Sequence, residues 1–282
     1  MSGFLILGPL SKDTIIKDGL KTHSVGGAVY YQSRVFSSLN LNHTVVVTLA
    51  ADDQHLLNEF PEKTTLIPVF KKETVRFENK YFNNDPNKRI QRSNAPNIPL
   101  TIEDLLKIFK SEEMDFEGII LSPLLSSDIP LSTVKWLSKK DIPLYAGAQG
   151  YLRNLKNCDI NLNLRPEFEE LLKMVGILFL DENELKAIKI NRKETFMESL
   201  NRLASYGPEE IVITCGDKGS LIYSQEKVHK IKAYPPLQVG DPTGLGDTYL
   251  AAYLSCKKNN KDPIKCGKFA AQIATKKLEN RI

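Results

Sequence analysis

The sequence predicts a doubly wound α/β fold, with a mostly parallel central sheet flanked by helices and a small β sheet projecting from it. Two observations carry that prediction. Short β-branched runs alternate with segments of helical period along the chain, and one stretch of period-two alternation interrupts the rhythm. At 282 residues the chain is long enough to bury a substantial core as one large domain. One domain over 1–282 is therefore expected, with the projecting sheet drawn from about 71–98.

Strands are expected at Phe4–Leu7, Thr44–Thr48, Gly118–Leu121, Pro143–Tyr145, Val175–Leu180 and Ile211–Thr214, each short and rich in branched apolar residues. Between the first two, Ala28, Tyr31, Val35 and Leu39 recur on one helical face. Thr101 suits the N-cap of a helix through Leu105, Leu106 and Phe109. Pro166 suits the first turn of a helix through Leu172. Phe196, Leu200, Leu203 and Ala204 form a further stripe that stops at Gly207-Pro208. From Thr74 to Tyr81 the residues alternate, Asn83-Asn84-Asp85-Pro86-Asn87 supplies turn chemistry, and Lys88–Gln91 returns. That is a β-hairpin, placed to cover a cleft.

Composition excludes several functions. Apolar residues make up 41% and charged residues 26%, the balance of a globular protein. The 38 basic and 34 acidic residues are spread along the chain, so no concentrated basic face for nucleic acid is expected. The first apolar run ends at Gly8-Pro9, too short for a membrane span or a signal-peptide core, and cytoplasmic residence is expected. Cys158, Cys215, Cys256 and Cys266 have no Cys-x-x-Cys spacing and the four histidines stand apart from them, against a zinc site or a disulfide scaffold.

The strongest chemical signal is Gly240-Asp241-Pro242-Thr243-Gly244-Leu245-Gly246-Asp247-Thr248, followed by a run of helical character. Gly244 and Gly246 let the backbone approach a ligand, and the first-turn amides face an anion at the positive end of the helix dipole. A carboxylate there repels the anion beside it. Asp247 makes sense if it must meet the hydroxyl that attacks a phosphoryl group held at that place. The structural alternative is a type I turn over Asp241–Gly244 leading into a locally capped helix. Upstream, Thr214-Cys215-Gly216-Asp217-Lys218-Gly219 reads as a glycine turn between strands, either a plain hairpin or a site offering Thr214, Gly216 and Gly219 to phosphates. Asp13 follows the first strand and Gly26-Gly27 precedes a helix, both readable as turn chemistry.

In this order the motifs resemble those of the ribokinase-like, or phosphofructokinase B, family of carbohydrate and nucleoside kinases. The resemblance implies a ribokinase-like α/β fold with a β lid, and transfer of the ATP γ-phosphoryl group to an alcohol of a sugar, nucleoside or inositol. It implies Asp247 as base, the amides of Gly244, Leu245 and Gly246 as anion hole, and Thr214, Gly216, Gly219 and Thr243 for the nucleotide phosphates. Asp13, Gly26 and Gly27 would meet the acceptor. Glu184 and Asp181 would organise Mg2+, although Asp181 stands where the family has Asn, and the pair also spells a capping box. Tyr31 replaces an Asn that contacts ribose, and Gly147 stands where an Asp often precedes a segment like Gln149–Arg153, which offers Arg153 to substrate. Partners implied are ATP, a small hydroxylated substrate and a second copy through the lid, with neither nucleic acid nor membrane. Two alternatives stand beside this reading: an inactive nucleotide-binding regulator of the same fold, and a kinase for a hydroxymethylpyrimidine-type vitamin precursor, against which the β lid argues.

Overall fold

A computed structural model describes residues 3–17, 19–82, 85–110, 114–156, 158–191 and 193–282. In chain order its strands are β1 (Phe4–Pro9), β2 (Ser11–Lys17), β3 (Leu20–Gly26), β4 (His43–Ala50), β5 (Thr65–Lys71), β6 (Val75–Phe82), β7 (Asp85–Ser93), β8 (Gly118–Leu121), β9 (Leu144–Gly147), β10 (Arg153–Lys156), β11 (Asp159–Leu162), β12 (Ile177–Asp181), β13 (Glu210–Thr214), β14 (Ser220–Ser224) and β15 (Lys227–Ile231). The α-helices are α1 (Ala28–Ser38), α2 (Ile102–Phe109), α3 (Leu131–Leu137), α4 (Ala148–Leu152), α5 (Pro166–Leu172), α6 (Glu182–Ile188), α7 (Phe196–Tyr206), α8 (Leu245–Lys257) and α9 (Pro263–Leu278).

Nine strands form the central sheet in the order β15-β14-β13-β12-β9-β8-β1-β4-β5. From β5 to β13 every neighbour is parallel, and β14 and β15 close the sheet antiparallel. Alternate residues of β1 serve opposite faces, as a doubly covered parallel sheet requires. Leu5 and Leu7 pack with Leu105, Val134, Phe168 and Leu200 of α2, α3, α5 and α7. Phe4 and Ile6 pack with Val35, Phe36, Tyr253 and Ala270 of α1, α8 and α9.

The helices begin where their caps dictate. Thr101 caps α2 in a capping box with Asp104, and Pro166 opens α5. Thr195 caps α7, which ends at Gly207. All six expected strands lie in the central sheet. An extra parallel strand, β5, lies at its edge, where a proline such as Pro68 is tolerated.

The hairpin from Thr74 to Arg92 is β6 paired antiparallel with β7; of its expected turn, Asn83 and Asn84 lie outside the described residues. It belongs to a second, six-stranded sheet in the order β10-β11-β7-β6-β2-β3, which also takes strands from Ser11–Gly26 and Arg153–Leu162. Ala28, Val75, Phe77, Ile98, Leu124 and Leu125 pack its base onto the body. The C-terminal ends of β9, β12 and β13 and the N-terminus of α8 face this second sheet across a cleft, the usual place for a ligand in an open α/β fold.

Candidate active site

The cleft has a volume of about 460 Å³, within the range of small-molecule sites. Its floor is the start of α8. Gly244, the N-cap, is left-handed at φ 75°, and no side chain caps the helix. A Cβ at Gly244 would stand 2.3 Å from Cγ of Tyr31, so glycine is required by the backbone and by the packed ring together. Asp241 shapes the loop before it: its Oδ1 accepts from the Thr243 amide at 2.9 Å and hydroxyl at 2.7 Å. The Leu245 amide turns back onto the Pro242 carbonyl at 3.2 Å. Among the described residues no side chain caps the first-turn amides of α8, which leaves its positive end open to an anion.

Asp247 lines the cleft on the first turn of α8. Burial pushes its carboxyl up to about 6 even though Arg153 and Lys277, the cations facing it, pull the other way. Arg153 reaches the site from the second sheet and is only 5% exposed. Its Nη1 donates to the Leu124 carbonyl at 3.1 Å and its Nη2 to Oε1 of Gln91 at 3.2 Å, while its guanidinium lies 5.1 Å from the Phe77 ring centroid. Gln91 Nε2 donates in turn to Asn79 Oδ1 at 2.8 Å. Two carboxamides of the hairpin are thus tied to a cation of β10, and all three line the cleft.

Asp13, also in the lining, lies on β2, and Oγ of Ser11 donates to its Oδ1 at 2.7 Å. Gly26 is not in the lining; a Cβ there would come within 2.5 Å of Asp13 Oδ2, so its bareness seats that carboxylate. Gly27, Thr214 and Thr243 line the cleft, whereas Gly216 and Gly219 do not. Gly219 is demanded by structure: at φ 96° its missing Cβ would fall 2.0 Å from the Ile231 carbonyl oxygen.

Asp181 and Glu184 both line the cleft and both hold the start of α6. Asp181 Oδ1 accepts from the amides of Asn183 and Glu184, and Glu184 Oε2 accepts from the Asp181 amide at 2.8 Å. Burial, with the Asp181 charge adding to it, pushes Glu184 up to about 8 against the pull of the Asp181 amide, Arg153 and Gln149. Among the described residues no three His, Cys, Asp or Glu side chains gather as a metal cage. A pair of acidic side chains beside an anion site suits an ion bound chiefly by phosphates and water, which is the habit of magnesium.

Sequence reasoning gave no site role to Gln91, Asn79 or Lys277, which tertiary contacts bring there, nor to Gln149 or to Ser11, the local partner of Asp13. Nor did it find Asp128, which lies behind the site. Asp128 is 1% exposed; its Oδ2 accepts from the Leu124 and Leu125 amides at 2.8 and 2.7 Å, and burial pushes it up to about 7. A carboxyl raised in the fold favours folding below its unfolded value of ~4 and loses that contribution as pH climbs through its folded value. Asp128→Asn, which keeps an acceptor and cannot ionise, should therefore gain stability relative to the wild type as pH rises. Melting temperatures of both proteins at about pH 5 and about pH 8 check this; a difference that does not move with pH contradicts it.

The model of the pfkB family of carbohydrate kinases matches residues 101–281. A nucleoside kinase of Methanothermobacter thermautotrophicus is 32% identical over 117 residues, 42% of this chain and 36% of that protein. A ribokinase of Arabidopsis thaliana is 27% identical over 161 residues, 56% of this chain and 39% of that one. The chain thus spans well under half the length of these relatives. A structure of a pyrophosphate-dependent kinase in the ribokinase family, complexed with a pyrophosphate analog and myo-inositol, superposes with a TM-score of 0.83 at 23% identity, covering 98% of this chain and 95% of that one. Arabidopsis thaliana ribokinase complexed with ribose and ATP gives 0.73 at 21% identity, covering 99% and 93%. At these identities the two structures establish the fold.

Proposed function

This chain belongs to the pfkB family of carbohydrate kinases, and on that footing we propose that it moves a terminal phosphoryl group from ATP onto an alcohol of a small polyhydroxylated metabolite. One observation carries the reading: the carboxylate of Asp247 lies on the first turn of an uncapped, glycine-lined helix in the wall of a cleft. An anion and a base are wanted in the same place when an alcohol attacks a bound phosphoryl group.

In the proposed reaction the alcohol oxygen bonds to phosphorus, the bond from phosphorus to the bridging donor oxygen breaks, and the alcohol proton passes to Asp247. The transition state of such transfers is loose, so the proton leaves late and a carboxylate is basic enough. The open amides of α8 take the charge on the transferring group. Asp13, Asn79, Gln91 and Arg153 offer the acceptor acceptors and donors on several sides, which suits a sugar or cyclitol ring. One face of Phe77 is covered by Arg153 and so is not open to stack a nucleobase. Asp181 and Glu184 would hold magnesium through its water shell; when bound, the ion neutralises charge on the donor phosphates.

Glu184→Gln is then expected to move the magnesium dependence of turnover to higher concentration. A lowered melting temperature with an unmoved magnesium curve would assign Glu184 to the α6 cap alone.

A second reading has inorganic pyrophosphate as donor. It is favoured by the cleft lining, which on the donor side stops at Thr214 and Thr243 and takes no residue from Gly216, Gly219, β14 or β15. Steady-state rates with magnesium ATP and magnesium pyrophosphate, across a panel of sugars, inositols and nucleosides, decide between donors. ATP use by the wild type supports the first reading, pyrophosphate use without ATP use supports the second, and neither removes both.

A further inference from the structure

The loop that enters the anion site hangs from the end of α9. The Gly240 amide donates to the Leu278 carbonyl at 2.8 Å, the Leu237 amide to Glu279 Oε1 at 2.7 Å, and the Thr275 hydroxyl to the Tyr234 carbonyl at 3.0 Å. The contact nearest the site differs in kind from these. Nζ of Lys277 donates to the main-chain carbonyl of Asp241 at 2.6 Å and to that of Thr243, and it stands 5.5 Å from the centroid of the Tyr31 ring.

Two carbonyl dipoles of one tight loop, two residues apart, thus converge on a single cation with an aromatic face beside it. Converging carbonyl oxygens repel one another and are the usual ligands of a desolvated monovalent cation. We propose that the Lys277 ammonium is a built-in monovalent cation, the positioning residue that holds the carbonyls of Asp241 and Thr243 together and so fixes Gly244 and the phosphate-facing start of α8.

The consequence for the loop is direct. Thr243 is followed by the N-cap glycine, whose left-handed backbone lies against the same Tyr31 ring. A loop that loses its cation relaxes by turning the two carbonyls apart, and the amide of Gly244 turns with them. Lys277 also faces Asp241 and Asp247 as counter-charges and Arg34 as a like charge, and burial lowers its own pKa. Among the described residues its charge is therefore held close to the base without an ion pair to a carboxylate, on two main-chain carbonyls.

This inference rests on the proposed kinase reading for its kinetic arm, and a melting arm stands apart from turnover. Lys277→Ala opens a space that a small cation can enter, whereas Lys277→Met removes the charge and keeps the space filled. Both variants should lose kcat by about tenfold or more, the scale of a displaced reacting group. Ammonium or potassium at constant ionic strength should restore Lys277→Ala several-fold, and tetramethylammonium, too large for the space, should not. Lys277→Met should show no rescue. Ammonium should also raise the melting temperature of Lys277→Ala more than that of the wild type, as a ligand of the folded state does.

The wild type should turn over equally in potassium and in tetramethylammonium buffers, a result available even if neither variant folds. Potassium activation of the wild type would overturn the proposal. So would wild-type kcat in Lys277→Ala, or a loss in the folded variant that no small cation repairs in rate or in melting. A wild type with no turnover on any donor would remove the kinase reading and leave the melting arm to decide this one.

Discussion

Asp247→Asn is expected to fold, to bind the donor about as well as the wild type, and to lose kcat by ~10²-fold or more, the usual scale for a positioned general base. Asparagine keeps the size and the hydrogen-bonding oxygen and removes the basicity. The wild-type pH profile should carry the same information. Burial raises the Asp247 carboxyl to about 6, so kcat/KM should rise with pH through that region as the carboxylate forms, and level off above it. In Asp247→Asn the limb should vanish along with the rate. A variant within a few-fold of wild type, or an acid limb that persists in it, assigns the base elsewhere.

Arg153 is expected to give the second large effect, because one buried guanidinium serves both sheets at once. It ties Gln91 of the hairpin to the Leu124 carbonyl of the body, and its charge is felt at Asp128, Glu184 and Asp247. Arg153→Met removes a cation that lowers all three of those carboxyls, and an uncompensated buried charge is costly. The kinetic loss in kcat/KM should be on the order of 10²-fold, from the acceptor side and the charged transition state together. The acid limb should move upward, since Asp247 loses a cation. Arg153→Lys should recover little, because a single ammonium lacks the two-nitrogen fork that reaches the Leu124 carbonyl and Gln91 while the guanidinium stands over Phe77. Full activity in Arg153→Lys would reduce Arg153 to a local charge.

How much of this was legible beforehand follows from where each group sits along the chain. The stretch from Asp241 to Asp247 is contiguous, and its glycines, carboxylate and following helix are one local event, so its chemistry could be read without a fold. The parallel strands were legible for a related reason: buried on both faces, they are continuous apolar runs such as Thr44–Thr48 and Ile211–Thr214.

The second sheet was legible only at its hairpin. β3 reads Leu-Lys-Thr-His-Ser-Val-Gly and is largely exposed, and β10 and β11 are four residues each, so neither offers a periodic apolar signal. Asp13 read as turn chemistry for this reason, although it lies inside β2. Gln91, Asn79 and Lys277 left no local trace at all. Lys277 is 34 residues from the Thr243 carbonyl that it holds, and nothing in the last turn of an ordinary helix distinguishes it from a solvated lysine. Glu184 was legible as a cap and as a metal organiser, and the geometry sustains the first while leaving room for the second.

Phosphorus NMR of the product tests most directly whether a phosphoryl group passes to an alcohol with Asp247 as base. Wild type and Asp247→Asn would each be incubated with magnesium and either ATP or pyrophosphate, together with each acceptor in turn. The expected result is a new phosphate monoester resonance from the wild type with at least one sugar or inositol, formed in step with loss of the donor, and its near absence from the variant at equal donor occupancy. Donor binding with no ester from any acceptor, or equal ester from both proteins, would contradict it.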